Sequence, residues 1–233
     1  MPALEPSFFP DDPRFVLLDI GPGLGELVQR YGERHRVVAV EPDAEYARRV
    51  ASAWPDRVLM CRGVGEALPL REAAFDGVTL LEVLEHVDDP DVVLHEAARV
   101  LKPRGALCVA VPTSYTEAVY SRLHPQYMTN ATHVRVFKKQ ELIARIERQG
   151  FAVQEVRTAN LEAAVSWFFH ALKRSRSDAS GYIYEHHGID ARLARVMERV
   201  STTAGIWRVV PWARERFGKS WYVYARKAEE TSS

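Results

Sequence analysis

Cysteine is scarce in this chain: there are two, Cys61 and Cys108. Two cysteines cannot build a disulfide framework. Both fall in apolar runs that read as strands, where a thiol behaves as a small buried hydrophobe. Charge of one sign is missing as well. Lys plus Arg and Asp plus Glu each total 31, for a formal net charge of zero. That balance lacks the basic footprint of a nucleic-acid binder and argues against a polyanionic substrate. No uninterrupted apolar run reaches the roughly 18 residues of a membrane span. The opening stretch, MPALEPSFFPDDPRF, has prolines and acids where a signal peptide needs a basic start and an apolar core. Internal repeats and low-complexity tracts are absent. These exclusions lead to the expectation of a cytoplasmic protein from a reducing compartment that binds no nucleic acid.

What is there is ordinary globular material. Hydrophobic residues make up 47% and charged residues 27% of 233 positions. This composition supports a sizeable core, in one large domain or one domain with an insertion. The first half alternates strand-like and helix-like segments. Strands are read at Phe15–Ile20, Arg36–Val40, Arg57–Cys61, Phe75–Leu81 and Ala106–Val111. Helices are read at Leu24–Tyr31, Asp43–Ala53 and Pro90–Leu101. Lys102-Pro103-Arg104-Gly105 is a stop signal after the last of these. Such alternation implies βαβ units and a buried parallel sheet. An amphipathic helix comes next at Lys138–Gln149, then a strand at Phe151–Arg157, and a last strand at Ser220–Arg226. Between these two strands lies a mostly helical stretch in which Leu161, Val165, Phe168 and Leu172 keep helical spacing.

The chemistry begins at Leu17–Glu26, which reads as strand, glycine turn and helix. Glycines let a ligand approach the backbone, and the helix after the turn aims its free N–H groups at it. In an open α/β sheet, ligands bind beyond the carboxyl ends of the strands. Asp19 ends the first strand there. Glu41, with Pro42 after it, ends the second, about twenty residues after the turn, the spacing at which an acid meets a ribose. The turn is G-x-G-x-G. The third glycine of a dinucleotide fingerprint would fall at Glu26, whose carboxylate is unfavourable beside a pyrophosphate. Weight therefore moves from NAD toward a nucleoside ligand without phosphate.

LLDIGPGLGE resembles the first motif of class I S-adenosylmethionine-dependent methyltransferases. VVAVEPD (Val37–Asp43) resembles their second motif, and RGVGEALPL (Arg62–Leu70) their adenine-side loop. The block from Phe75 to Pro112 is similar to the family's next block, through the fifth strand, and the segment His133–Phe151 to its next helix and glycine stop. The ubiquinone- and menaquinone-biosynthesis subgroup is the nearest in flavour. The resemblance implies a Rossmann-like seven-stranded, mostly parallel sheet with helices on both faces. The last strand would be antiparallel and inserted next to its neighbour, after a mostly helical insertion. Residues 1–157 and 220–233 would form the cofactor domain and 158–219 the insertion. The cofactor implied is S-adenosyl-L-methionine. Asp19, Gly21, Pro22 and Gly23 would hold its methionine end and Glu41 with Pro42 its ribose. Gly65, Glu66 and Ala67 would flank adenine, and Leu81 would line the site. Val64 stands where the family's adenine loop usually carries an acid.

Several readings stay open at this level. Glu82, Glu85 and His86 would share one face if their segment is helical. They could then hold a divalent cation, order a loop, or supply His86 as a base; no metal is assigned. His133 and Tyr115 lie beyond the fifth strand, over the expected substrate mouth, and are the other catalytic candidates. The insertion, with Trp167, Phe168, Phe169, Tyr182, Tyr184, Trp207 and Trp212, reads equally as a substrate lid or as the core of a small helical subdomain. Its basic run from Lys173 to Arg176 is either a solvated helix end or a weak contact with an anionic membrane surface. The expected activity is methylation of a small-molecule, lipid-linked or glycan-linked acceptor, with oxygen favoured. A non-catalytic cofactor-binding scaffold and an NAD-linked oxidoreductase are the alternatives. Oligomeric state is not readable.

Overall fold

A computed structural model describes residues 7–123, 133–159 and 218–229. Seven strands form one sheet: β1 (Val16–Ile20), β2 (Arg36–Glu41), β3 (Val58–Arg62), β4 (Phe75–Leu81), β5 (Leu101–Pro112), β6 (Phe151–Ala159) and β7 (Ser220–Lys227). Their spatial order is β3-β2-β1-β4-β5-β7-β6. β1 to β5 pair in parallel, and β7 runs antiparallel to both β5 and β6. The inserted antiparallel last strand is therefore where the family resemblance puts it.

The strands are near-continuous apolar runs because both faces are covered. Alternation along each strand sends neighbours to opposite sides. Leu18, Ile20, Val78 and Leu80 join one buried cluster, against Val93, Leu94, Ala97 and Val100 of α3 (Pro90–Val100) and Leu142 and Ile146 of α5 (Lys139–Arg148). Leu17, Val37, Ala106 and Cys108 join the other, against Leu27 and Val28 of α1 (Glu26–Tyr31) and Val50 of α2 (Ala44–Ala53). Each such Leu, Ile or Val side chain contributes roughly 1.5–3 kcal/mol on leaving water. Helices thus lie on both faces. α4 (Ser114–Leu123) comes directly after β5.

The helix boundaries have local causes. Asp43 caps α2 by accepting from the N–H groups of Glu45 and Tyr46, at 2.7 and 2.9 Å. Asp89 caps α3, with Pro90 at its first position. Gly150, at φ +81°, ends α5.

Three sequence expectations shift. The helix read from Leu24 starts at Glu26, because Gly25 sits before it in the left-handed region. The stop signal at Lys102–Gly105 lies inside β5, which begins at Leu101 and turns through Arg104 at φ +61°. Residues 82–86 form a turn rather than a helix, with Glu82 at φ +58°. Glu82, Glu85 and His86 accordingly do not share a helical face. β6 runs on to Ala159. The helical reading of the insertion, its aromatic residues, its basic run and the lid all fall at 160–217, outside the described residues. Among the described residues no helix is long and apolar enough to cross a membrane.

Candidate functional site

The carboxyl ends of β1, β2, β4 and β5 meet along one edge of the sheet, and every candidate residue sits on it or on the loops above it. The glycine turn leaves β1 at Ile20. Gly21 donates its N–H to the carbonyl of Val40 at 2.9 Å, tying the turn to β2. Gly25 donates to the carbonyl of Pro22 at 2.8 Å, which closes the turn. Gly23 has φ +52°, and a Cβ built on it would meet nothing within 4 Å. The turn therefore presents bare backbone to open space, as close ligand approach requires. A Cβ on Gly25, at φ +76°, would lie 2.5 Å from the Trp54 ring. Gly23 thus faces open space, whereas Gly25 is packed against Trp54.

Asp19 is buried beneath the turn. Thr79 of β4 donates its hydroxyl to Asp19 Oδ1 at 2.8 Å. Burial pushes the Asp19 carboxyl up to about 7, against the Thr79 bond, and the nearby Glu41 carboxylate pushes the same way. Glu41 accepts from the N–H of Asp43 at 3.1 Å, and the backbone N–H of Gly23 also favours its charged form. Burial holds Glu41 above the usual carboxylate range, partly offset by those two N–H groups. Pro42 is exposed, and its carbonyl accepts from Arg62 at 3.2 Å.

The loop Gly63–Leu68 closes the other side. Ala67 donates to the Val64 carbonyl at 3.2 Å, and Leu68 donates to Glu96 Oε2 at 2.8 Å. A Cβ on Gly65 would lie 3.2 Å from Val93 and 3.5 Å from Ile20, so this loop packs against the end of β1. Gly65 and Glu66 are half-buried, Ala67 is exposed, and Val64 is 45% exposed. Leu81 is half-buried at the end of β4.

A second, polar group lies past β4 and β5. Glu82 Oε2 accepts from Lys219 Nζ at 2.7 Å and Oε1 from the Ser220 hydroxyl at 2.6 Å. Burial pushes the Glu82 carboxyl up, but the Lys219 ammonium and the Ser220 bond outweigh it and hold the group below its ordinary value. Glu85 is buried, and neither carboxylate oxygen has a partner among the described residues. Burial first, and the Glu82 charge second, push it well above its ordinary value. His133 Nδ1 lies 3.1 Å from Glu117 Oε1, and its ring stands edge-on to that of His86, with centroids 4.5 Å apart. Ligand atoms of Glu85, His86 and His133 all lie within 4.8 Å of one another, within the reach of a small cation.

Two of the three catalytic candidates, His86 and His133, are therefore brought together. Tyr115 is 58% exposed, on the same helix as the buried Glu117. Glu117, Thr79, Lys219 and Ser220 carry no motif, and sequence reasoning passed over them. Lys219 is separated from Glu82 by 137 positions, and only the pairing of β7 with β5 brings them together.

Residues 18–109 match a family described as a methyltransferase domain. A probable S-adenosylmethionine-dependent methyltransferase of Mycobacterium tuberculosis is 30% identical over 164 residues, covering 70% of this chain and 53% of that protein. The chain thus spans about half the length of that relative. A ubiquinone/menaquinone biosynthesis C-methyltransferase of Acidiphilium cryptum is 29% identical, over 66% of this chain and 72% of its own length. A ubiquinone biosynthesis O-methyltransferase of Xanthomonas axonopodis is 28% identical, over 60% and 64%. In fold, the chain is similar to the YcgJ protein of Bacillus subtilis, with a TM-score of 0.62, 16% identity and 95% of each chain covered.

Proposed function

We propose, from the premise that this chain belongs to the class I S-adenosylmethionine-dependent methyltransferase superfamily, that it transfers the cofactor's methyl group to a small-molecule or lipid- or glycan-linked acceptor, at oxygen. The observation that carries this reading is the glycine turn tied to the end of β2, where Gly21 donates to the Val40 carbonyl at 2.9 Å beside the buried Glu41. It sets a ribose-binding acid beside open backbone, with a buried carboxyl, Asp19, below. The residues fit the family's cofactor, S-adenosylmethionine. Asp19 and the backbone of Gly21, Pro22 and Gly23 take the methionine end. Glu41 and Pro42 take the ribose, and Gly65, Glu66 and Ala67 the adenine, with Leu81 lining the floor.

The cofactor supplies an activated methyl group when bound. The chain's own task is to orient the acceptor and exclude water, and positioning can supply roughly 7–11 kcal/mol of a barrier. An acceptor hydroxyl also has to lose a proton. Base catalysis of that step is worth about 100- to 10,000-fold. His133 and His86, on the rim of the same edge, are the side chains suited to it. Tyr115 is left as a substrate contact. Two relatives named for quinone biosynthesis, one a C-methyltransferase and one an O-methyltransferase, favour a small-molecule acceptor and make carbon the competing acceptor atom. The two free thiols, Cys61 and Cys108, support a reducing, cytoplasmic setting.

Calorimetric titration with S-adenosylmethionine, S-adenosylhomocysteine and NAD tests the reading. Binding of the first two without NAD is expected, because Glu26 opens α1 where a pyrophosphate would need bare N–H groups. A folded chain that binds neither sulfur nucleoside sinks it. Binding without turnover to S-adenosylhomocysteine across an acceptor screen would instead favour the scaffold alternative.

A further inference from the structure

We propose that Glu117 is a positioning residue for the transfer step: it holds His133 in the tautomer whose Nε2 takes the proton of an acceptor hydroxyl. The proposal rests on the methyltransferase reading above. Glu117 is 3% exposed on α4, and its Oε1 lies 3.1 Å from His133 Nδ1. A carboxylate can only accept at that distance, so Nδ1 is the nitrogen that carries hydrogen. In the neutral ring the lone pair then belongs to Nε2.

The ring is mounted from two sides. Val134 donates its N–H to the Glu85 carbonyl at 2.9 Å, and Arg135 donates to the carbonyls of Val87 and Asp88 at 2.9 and 2.6 Å. These bonds lay residues 133–135 across the turn that leaves β4, with the His86 ring against that of His133. On the other side, α4 is anchored where Thr116 donates its N–H to the Thr113 hydroxyl at 3.2 Å. Both supports spring from strands whose carboxyl ends lie on the edge that carries the cofactor turn.

Glu117 Oε2 is buried and has no partner among the described residues. Proton uptake at Nε2 makes an imidazolium against that carboxylate, with Glu85 and Glu82 on the facing turn and Lys219 as the cation on the far side of Glu82. In the step, the acceptor oxygen forms its bond to the methyl carbon. The carbon–sulfur bond breaks with its electron pair going to sulfur, and the hydroxyl proton moves to Nε2 and later to water. This arrangement suits an acceptor that arrives neutral and protonated rather than as a carboxylate.

The test is long-range proton–nitrogen correlation NMR on the full chain, labelled with 15N-histidine and saturated with S-adenosylhomocysteine. The H133Q variant identifies the His133 signals. The wild-type ring is expected to show Nδ1 in the protonated range and Nε2 in the unprotonated range. E117Q keeps an acceptor at that position and is expected to retain the pattern, whereas E117L is expected to move hydrogen to Nε2. A merely structural Glu117 would leave the tautomer unchanged in E117L, and that result overturns the proposal. If E117L does not fold, the wild-type spectrum decides alone, since a ring with its hydrogen on Nε2 overturns it equally. Calorimetry with S-adenosylmethionine on the same wild-type sample separates the two claims. Absent binding removes the methyltransferase reading, while the tautomer result stands or falls by itself.

Discussion

Thr79 and Asp19 sit directly opposite each other on β4 and β1, and the threonine hydroxyl donates to the buried carboxyl at 2.8 Å. This pair gives the candidate site a pH response. Folded Asp19 keeps its proton to about 7, whereas its ordinary value is 3.8. The folded state therefore binds more protons across that window. The associated stability is fully present below about pH 4 and is lost as pH rises toward 7. At about 1.4 kcal/mol per pKa unit, the slope amounts to a few kcal/mol. D19N, neutral in both states, is expected to lose most of this slope and to bind S-adenosylmethionine at least tenfold more weakly. Urea melts at pH 5, 6 and 8 check the first part; parallel slopes in the two proteins would contradict it.

Two glycines of one turn are expected to respond differently to alanine. At Gly23 the added Cβ meets open space, so G23A should cost about 1–2 kcal/mol, the strain of left-handed backbone. At Gly25 the same strain is joined by a 2.5 Å approach to Trp54, which adds overpacking of about 1–3 kcal/mol. G23A should therefore fold but lose cofactor affinity, while G25A should be the less stable protein. Thermal melts and calorimetry read the pair. Wild-type affinity in G23A would mean that the open space above the turn is not the ligand's.

Glu85 gives a prediction of sign. Burial and the neighbouring Glu82 charge raise its carboxyl well above 4.5. Its contribution to stability is therefore greatest below that value and falls as pH rises. E85Q removes the ionisation and keeps the shape. The variant should match the wild type near pH 4 and exceed it in melting temperature by pH 8. A wild type that is the more stable of the two at pH 8 would mean that Glu85 has a compensating cation.

Glu82 reaches across the sheet to Lys219 and Ser220. S220A should cost about 1 kcal/mol, and K219M about 1–2 kcal/mol, kept low by the partial exposure of this ion pair. Because both partners share one carboxylate, the double variant should depart from the sum by at least about 0.5 kcal/mol. Strict additivity in denaturant melts would show that the two bonds act independently.

Much of this frame was legible because it is local and periodic. β4 has the limits read from its apolar run, Phe75–Leu81, which closes at Glu82. Asp19 and Glu41 were legible because each ends an apolar strand at a fixed distance from the glycine turn. The letters Glu82, Glu85 and His86 misled, because helical spacing assumes ordinary backbone and Glu82 adopts φ +58°. That single residue turns the two glutamates toward different neighbours. Glu117 was illegible for another reason. Its meaning comes from a bond to His133, and nothing in the intervening chain has a period that would announce it.

Ala159, the last residue of β6, lies in register with Ser220, the first of β7, and a Cβ on Gly218 would come within 2.6 Å of the Ala159 carbonyl. The chain therefore leaves the sheet and rejoins it at a single doorway, on the edge that carries the site. Residues 160–217 join the two sides of this doorway in sequence. Closing a segment of a different length across this doorway changes the entropy only logarithmically, by about 0.6 kcal/mol per doubling. The register between Ala159 and Ser220 can accordingly stay constant while the length of chain between them changes.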